Sequence, residues 1–428
     1  MGIRPTSPAT SRVRAQRALV KRKRTRTSLV SLLLVLLLTT VTLGCFGIED
    51  FGHALTFPGR ITGAVLICVS VATLLGAAGA LDHWFWNSFP YSGLVALVGA
   101  FAAVLTNFLL LAEIVKGGDS AAYRALFCAL AAGSLWAVVA VWRTSVVIPA
   151  PKRVTMALLV SSVLAIANFG YQNLYQPSQR EVRPVIRLAM GSPVTSKDGK
   201  AFSLPVDITV ENHSDVGFYV LGTEFHAMGE RVPLSAKDRL RQQWRVDSEQ
   251  WSKFEEYNPV SRREIHQPGE LVDAQPWMPY GRWIDASDTF SSRVVVQLPM
   301  DAPYDQVAFY ASASLARKDR ITLRNLHFKT YSWNDRQLPR WVEQQKDWDS
   351  LVFQGEIDEN NAIDQHTRNR RYMFVYWRFG THGAGIEEAI STPHGKDASL
   401  EEAEDRYGVR DVKMGPVERT LWDIKSQR

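Results

Sequence analysis

Trp277, Tyr280 and Trp283 fall within one short Pro/Gly-bounded segment, Pro276–Trp283. Exposed rings at this spacing can stack on sugar faces, so the three are the candidate ligand-binding residues. The competing role is core packing, because tryptophan is highly buried on average. A second set of candidates is Asn107, Glu113 and Asn168, which stand inside or near the ends of long apolar runs. Polar side chains at mid-membrane mark ion or proton pathways. Glu113 sits one turn before Lys116, where water reaches it. The two amides suit interhelical hydrogen bonds worth about 1 kcal/mol each.

Other chemistry is sparse. Gly380-Thr381-His382-Gly383-Ala384-Gly385 follows an apolar run and precedes Ile386-Glu387-Glu388. Strand, glycine loop and helix form the context of a phosphate cradle. The spacing fits neither the dinucleotide fingerprint nor the P-loop, so a plain connection is expected. His382, Glu387, Glu388 and His394 are too irregularly spaced for a known metal site. The acidic stretch Asp358 to His366 lacks the glycine and terminal glutamate of a calcium loop. Neither a Gly-x-Ser-x-Gly elbow nor a His-Glu-x-x-His pair occurs. The catalytic residues are therefore unknown, and no metal or cofactor is expected. The three cysteines, Cys45, Cys68 and Cys128, all lie in apolar runs, so residues 176–428 have no thiol chemistry.

The elements that position these residues begin with five apolar spans, at about 28–48, 61–81, 93–115, 122–142 and 154–174. Each is near the roughly 20 residues a helix needs to cross a bilayer. Small residues recur every fourth position (Ala72, Gly76, Ala80; Ala96, Ala100, Val104; Ala129, Gly133, Ala137), which lets helices pack closely. Charge orients the spans. Residues 1–26 hold nine Lys/Arg and no acid, residues 27–175 carry +1, and residues 176–428 carry −4. The tail, 1–27, is expected in the cytoplasm against anionic headgroups. The loop with Arg143, Lys152 and Arg153 falls on the same side, and five crossings put 176–428 outside. Its acidic balance gives nucleic-acid binding no electrostatic support. Val41-Thr42-Leu43-Gly44-Cys45 resembles a bacterial lipoprotein signal, which would make Cys45 a lipidated N-terminus. The alternative, a cysteine within a retained helix, leaves the large domain outside as well.

A polar linker, 176–184, leads into strand patterns. Phe202, Leu204, Val206, Ile208 and Val210 alternate with polar residues, which describes a half-buried strand. Pro205 points to an edge position, and Phe218–His226 reads as the partner returning after Asn212–Asp215. Pro184–Met190, Arg293–Leu298, Val307–Leu315 and Ile321–Phe328 add further strands. The expected fold is a five-helix transmembrane bundle followed by an extracytoplasmic, mainly-β domain. An antiparallel β-sandwich of immunoglobulin-like architecture is expected over 185–330, with an insertion at 232–289. Helices are expected over about 235–257 and from Pro339. Residues 331–428 read as a mixed α/β extension, with Ser399 and Glu402 as a capping box for a helix ending near Gly408.

With spans nearly free of charge and no catalytic motif, the expected role is a cell-envelope interaction or scaffold protein. Its expected contacts are the lipid bilayer, an envelope protein partner or a cell-wall polymer. The alternatives are a glycan-binding or envelope-modifying enzyme, and a small transporter or sensor component.

Overall fold

The computed structural model describes residues 8–86, 88–144, 184–231, 269–333, 348–380, 383–392 and 399–426. The chain forms two compact units: Met1–Arg180 with Glu359–Asn369, and Glu181–Asp358 with Arg370–Arg428. The fifth span, with Asn168, lies outside the described residues, as do the helices expected at 235–257 and from Pro339.

The first unit holds α1 (Pro8–His53), α2 (Phe57–Leu81), α3 (Ser92–Gly117) and α4 (Ala121–Trp142), with the short α5 (Ala362–Thr367). Four segments are long and apolar enough to span a membrane: Thr27–His53, Phe57–Trp86, Ser92–Gly117 and Ala121–Trp142. Thr56 starts α2 by accepting the Gly59 N–H at 3.1 Å, with a proline in the first turn where no amide bond is lost. A single π-helical turn, Asp82–Trp86, closes α2. The Asp82 carboxylate there accepts the Ser88 and Phe89 N–H groups. Phe85, Trp86, Phe89 and Tyr91 are exposed around this turn, as interfacial aromatic residues would be.

Along every long helix the buried face runs through the same three layers. One apolar layer contains Leu32 and Leu36 of α1, Ala77 and Ala80 of α2, Ala96 to Ala103 of α3, and Ala137 and Val141 of α4. The other contains Leu43, Leu66, Leu110, Ile114 and Phe127. Between them lie polar side chains. Thr40 and Thr73 share a hydrogen bond at 2.9 Å, and the Ser70 hydroxyl donates to the Thr40 carbonyl at 2.8 Å. The packing is set by small residues. A Cβ on Gly99 would stand 2.6 Å from the Gly76 Cα, so α2 and α3 touch backbone to backbone. Gly99→Ala should lower bundle stability by about 1–3 kcal/mol, the usual cost of overpacking. Thermal scanning of the detergent-solubilised protein checks this, with Gly52→Ala unchanged because no atom lies within 4 Å of that position. Of the expected small-residue strip on α4, Ala129 is exposed, Ala137 is buried, and a Cβ on Gly133 would stand 2.8 Å from Val35 of α1.

The second unit is an antiparallel, mainly-β domain of three sheets. In the first, β3 (Ala201–Asn212) lies between β7 (Thr289–Pro299) on one side and β1 (Pro184–Met190) with β2 (Val194–Thr195) on the other. The second runs β13 (Arg410–Thr420), β8 (Gln306–Arg317), β4 (Phe218–Glu230), β5 (Glu270–Gln275), with β6 (Trp283–Ile284) also on β4. The third runs β12 (Gly383–Ser391), β11 (Arg371–Gly380), β10 (Trp348–Glu359), β9 (Ile321–Tyr331). The alternation seen in sequence holds in β3, where every second residue is buried. Those residues form one core with Val220, Phe225, Phe309 and Leu315 of the second sheet. Leu221 and Ala316, on the opposite face of that sheet, form a second core with Met373, Val375 and Ile386 of the third. The second sheet is thus buried on both sides.

Four sequence expectations need correction. β4 does not pair with β3; the chain crosses between sheets at residues 213–217, and β4 pairs with β8. The Asn212 side chain holds that crossover by donating to the Val216 and Asp285 carbonyls, both at 2.8 Å. Pro205 is not on an edge strand. Its carbonyl accepts the Gly191 N–H at 2.8 Å. Its ring nitrogen faces the same side, at the break between β1 and β2 where no donor is needed. Residues 270–284 do not belong to an insertion, because β5 and β6 complete the second sheet. Nor is 331–428 a separate extension. β13 pairs with β8 along its length, and Leu421 and Ile424 of α7 (Leu421–Ser426) enter the first core. The Ser399 cap and the left-handed Gly408 bound α6 (Leu400–Tyr407) as expected.

Candidate interaction surface

The three aromatic candidates separate into one core residue and two surface residues. Trp277 is 3% exposed. Its indole N–H donates to the Glu224 and Ser312 carbonyls at 3.2 and 3.1 Å. Its backbone N–H and that of Met278 donate to the Thr223 hydroxyl, which donates back to the Met278 carbonyl. Trp277 therefore seals the first core and offers nothing to a ligand. Tyr280 and Trp283 are 45% and 55% exposed. They flank Gly281, whose φ of 72° turns the chain. Trp283 lies beside Tyr219 across the β4–β6 ladder, with the Lys318 ammonium 5.0 Å above its ring.

Tyr280 opens a continuous row of rings. Its ring centroid is 4.4 Å from Phe353 on β10, which is 5.9 Å from Phe328 on β9. Phe328 is 5.1 Å from Tyr331, and Tyr331 is 4.8 Å from Trp333. Apart from Phe353, which packs on the second core, each ring keeps 39–56% of its surface exposed. β9 is an edge strand beside β10, and from it Phe328 packs on the β10 ring of Phe353 while Tyr331 packs on Phe328 and Trp333. Its basic neighbours are Arg324, His327 and Lys329. Sequence reading found one end of this row and missed Phe328, Tyr331, Trp333 and Phe353, which lie 48 or more residues further along. The dense aromatic content of 328–333 was the available signal.

A polar seam lies on the face of the second sheet turned toward the third. Glu224 is buried, with Oε1 2.7 Å from His226 Nδ1 and Oε2 accepting the Ser312 hydroxyl at 3.2 Å. His226 stacks on Tyr310 at 4.5 Å. Two residues along β8, the Ser314 hydroxyl donates to Glu388 of β12 at 2.7 Å. Burial and the neighbouring Asp411 charge push the Glu388 carboxyl up to about 8. The serines donate to carboxylates and not to the histidine, so neither is activated as a nucleophile. Among the described residues, no three His, Cys, Asp or Glu side chains could hold a metal ion. Glu387 pairs with Arg378 of β11. His382 and His394 lie outside the described residues. The glycine-rich stretch joins two strands and not a strand to a helix, with β12 running back along β11 from Gly383.

In the helical unit, Asn107 is fully buried and donates to Thr39 Oγ1 at 3.1 Å. That is the interhelical bond its sequence context suggests. Glu113 is exposed on α3 and faces away from the bundle interior.

No protein family matches the chain, and no curated protein is similar to it. Among solved structures, the ApaA protein from Bordetella pertussis aligns at 6% identity and a TM-score of 0.18, over 32% of this chain and 82% of that one. Spo0M, a sporulation control protein from Bacillus subtilis, aligns at 8% identity and 0.19, over 57% and 93%.

Proposed function

We propose that the chain is a multi-pass cell-envelope interaction protein that presents its β domain outside the cytoplasm and binds a protein partner through the Tyr280–Trp333 aromatic row. The observation that carries this reading is the row itself. Large rings cost free energy when left in water, and contiguous exposed ones are characteristic of binding surfaces. Ring geometry favours a protein over a glycan. A sugar platform presents parallel faces outward, whereas Tyr280, Phe353 and Phe328 meet at 43° and 77°, and in this row only Tyr331 and Trp333 lie near parallel, at 23°.

The topology draws on the helical unit. Asp50, Gly118 and Asp119 mark one end of the bundle. His83 and Thr144, bonded at 3.1 Å, mark the other. The chain leaves α4 at the Thr144 end, yet Glu359–Asn369 packs at the Asp50 end. A fifth crossing at 154–174, the apolar run of the sequence, would join the one end to the other. The nine cations before the first apolar span favour the Thr144 end as cytoplasmic. Retention of the first span is supported by Leu29, Leu32 and Leu36, which a cleavage at Cys45 would remove from the apolar layer.

The test is crosslinking pull-down from intact membranes with the full-length chain. Phe328→Ala/Tyr331→Ala/Trp333→Ala should lose at least tenfold of a partner that Glu113→Ala retains. Equal recovery by both refutes the reading. Sedimentation of the nanodisc-embedded chain with purified cell-wall polymer, lost in the same triple variant, would favour the glycan-binding alternative.

A further inference from the structure

Glu359–Asn369 joins β10 to β11 in sequence, yet it packs as part of the helix bundle. Ala362 and Ile363 of α5 enter the apolar layer of Phe46, Leu110, Ile114 and Phe127. The polar contacts are as specific as the apolar ones. Asp50 is buried near the end of α1 and accepts the Ala362 N–H at 2.6 Å. His366 Nε2 lies 2.8 Å from Glu49 Oε2, and its ring stacks on Phe46 at 5.9 Å. The Thr367 carbonyl accepts both the Asp119 and the Ser120 N–H at 2.9 Å, in the loop between α3 and α4. Asp119 in turn accepts the Asn369 N–H at 3.1 Å. The segment thereby bonds α1 and the α3–α4 loop at once.

It is also closed on itself. Asn361 caps α5 by accepting the Asp364 N–H at 2.8 Å, and the Gln365 side chain accepts the Glu359 N–H at 2.9 Å. Arg368 and Glu359 form an ion pair at 3.5 Å with both side chains buried. A loop of eleven residues meant only to connect two strands needs none of this. Beyond it, β10 and β11 stay in unbroken register from Ile357↔Arg371 to Trp348↔Gly380. The links from that ladder to α5 are short, residues 358–361 on one side and 368–370 on the other.

We infer that Glu359–Asn369 is a coupling strap: the β10–β11 ladder and the seating of α1 against the α3–α4 loop rise and fall as one conformational equilibrium. Phe353 of the aromatic row stands on β10, six residues before Glu359, so occupancy of that row would bias the same equilibrium. The strap itself stands whatever the row binds, because its contacts lie wholly within the chain. Coupling of this kind needs a physical network with two ends that bias each other.

Hydrogen exchange on the full-length chain in nanodiscs tests it. Asp50→Ala removes the acceptor of the Ala362 N–H. Amide exchange should then speed up at least fivefold in 359–369 and also in 350–357 and 372–379, far along the ladder from the mutated carboxylate. Acceleration confined to 359–369, or none, overturns the proposal. Asp119→Ala, in the α3–α4 loop and lacking the acceptor of the Asn369 N–H, gives the same readout if Asp50→Ala does not fold. In a background with Cys45, Cys68 and Cys128 changed to serine, Glu49→Cys/His366→Cys should crosslink on oxidation and slow exchange across 350–357 and 372–379. A crosslink that leaves the ladder's exchange unaltered refutes coupling, and failure to crosslink refutes the strap.

Discussion

Trp277→Ala should destabilise the β domain by about 3–5 kcal/mol, the range for removing a large buried aromatic residue. Two losses add. The indole fills the first core beside Phe290, at 6.5 Å between centroids, and truncation leaves a cavity that β4 and β8 cannot close from both sides. The indole N–H also bridges the Glu224 and Ser312 carbonyls, one on each of those strands. Tyr280→Ala and Trp283→Ala should each change stability by less than about 1 kcal/mol, as exposed positions usually do. Denaturant-dependent hydrogen exchange of β4 and β8 amides in the full-length protein distinguishes them. Trp277→Ala as stable as the parent chain would refute the core role. Because of this separation, a binding defect in a variant that includes Trp277→Ala reports loss of fold, whereas one in Tyr280→Ala reports loss of contact.

The sequence disclosed what local periodicity controls. Apolar runs marked the four described spans, strict alternation marked β3, and the Ser399–Glu402 box marked α6, because each signal is complete within about a dozen residues. Pairing partners were harder. β3 and β4 are joined by a short turn, and hairpin pairing is the default for such neighbours. They instead feed opposite sheets, a choice made by burial on both faces of the second sheet. The same double burial hid the third sheet. Along β4 and β8 the second face carries Leu221, Gly222, Ala308, Ala316 and the bonded Glu224 and Ser314, so no simple two-residue alternation of apolar and polar survives. Trp277 looked like a loop aromatic because its partners, Thr223 and Ser312, are 54 and 35 residues away. The strap was invisible for the same reason. Asp358 to His366 reads as an acidic loop, and only the approach of Asp50, 312 residues earlier than Ala362, gives it a place.

The domain's stability should fall as pH rises from about 5 to 8, and Glu388→Gln should remove most of that fall. Glu388 points from β12 onto the second sheet, where Ser314 donates to it and Asp411, cross-strand from Ser314 on β13, faces it. Burial raises the Glu388 carboxyl most, and repulsion by Asp411 raises it further, to about 8 against an ordinary 4.5. Burial raises Asp411 as well, opposed by the Lys413 charge and the bond to Glu388. Asp411 keeps an exposed face, so water shares in its solvation and Glu388 is the group that holds the proton. Glu387 and Glu404 add negative charge nearby. Protonated Glu388 then donates to the Asp411 carboxylate and ties the third sheet to the second. The sign follows from proton counting. Between pH 4.5 and about 8 the folded chain keeps a proton that the unfolded chain releases. The contribution is therefore complete below 4.5 and lost as pH climbs through 8, with a limiting slope of about 1.4 kcal/mol per pH unit. A glutamine keeps the donor toward Asp411 and the acceptor for Ser314 but cannot ionise. Chemical denaturation midpoints from pH 5 to 9 should show the parent chain losing stability relative to Glu388→Gln, with the variant ahead above pH 8. Parallel profiles would mean that the proton is not shared across the sheets, and the seam would then be held by Ser314 alone.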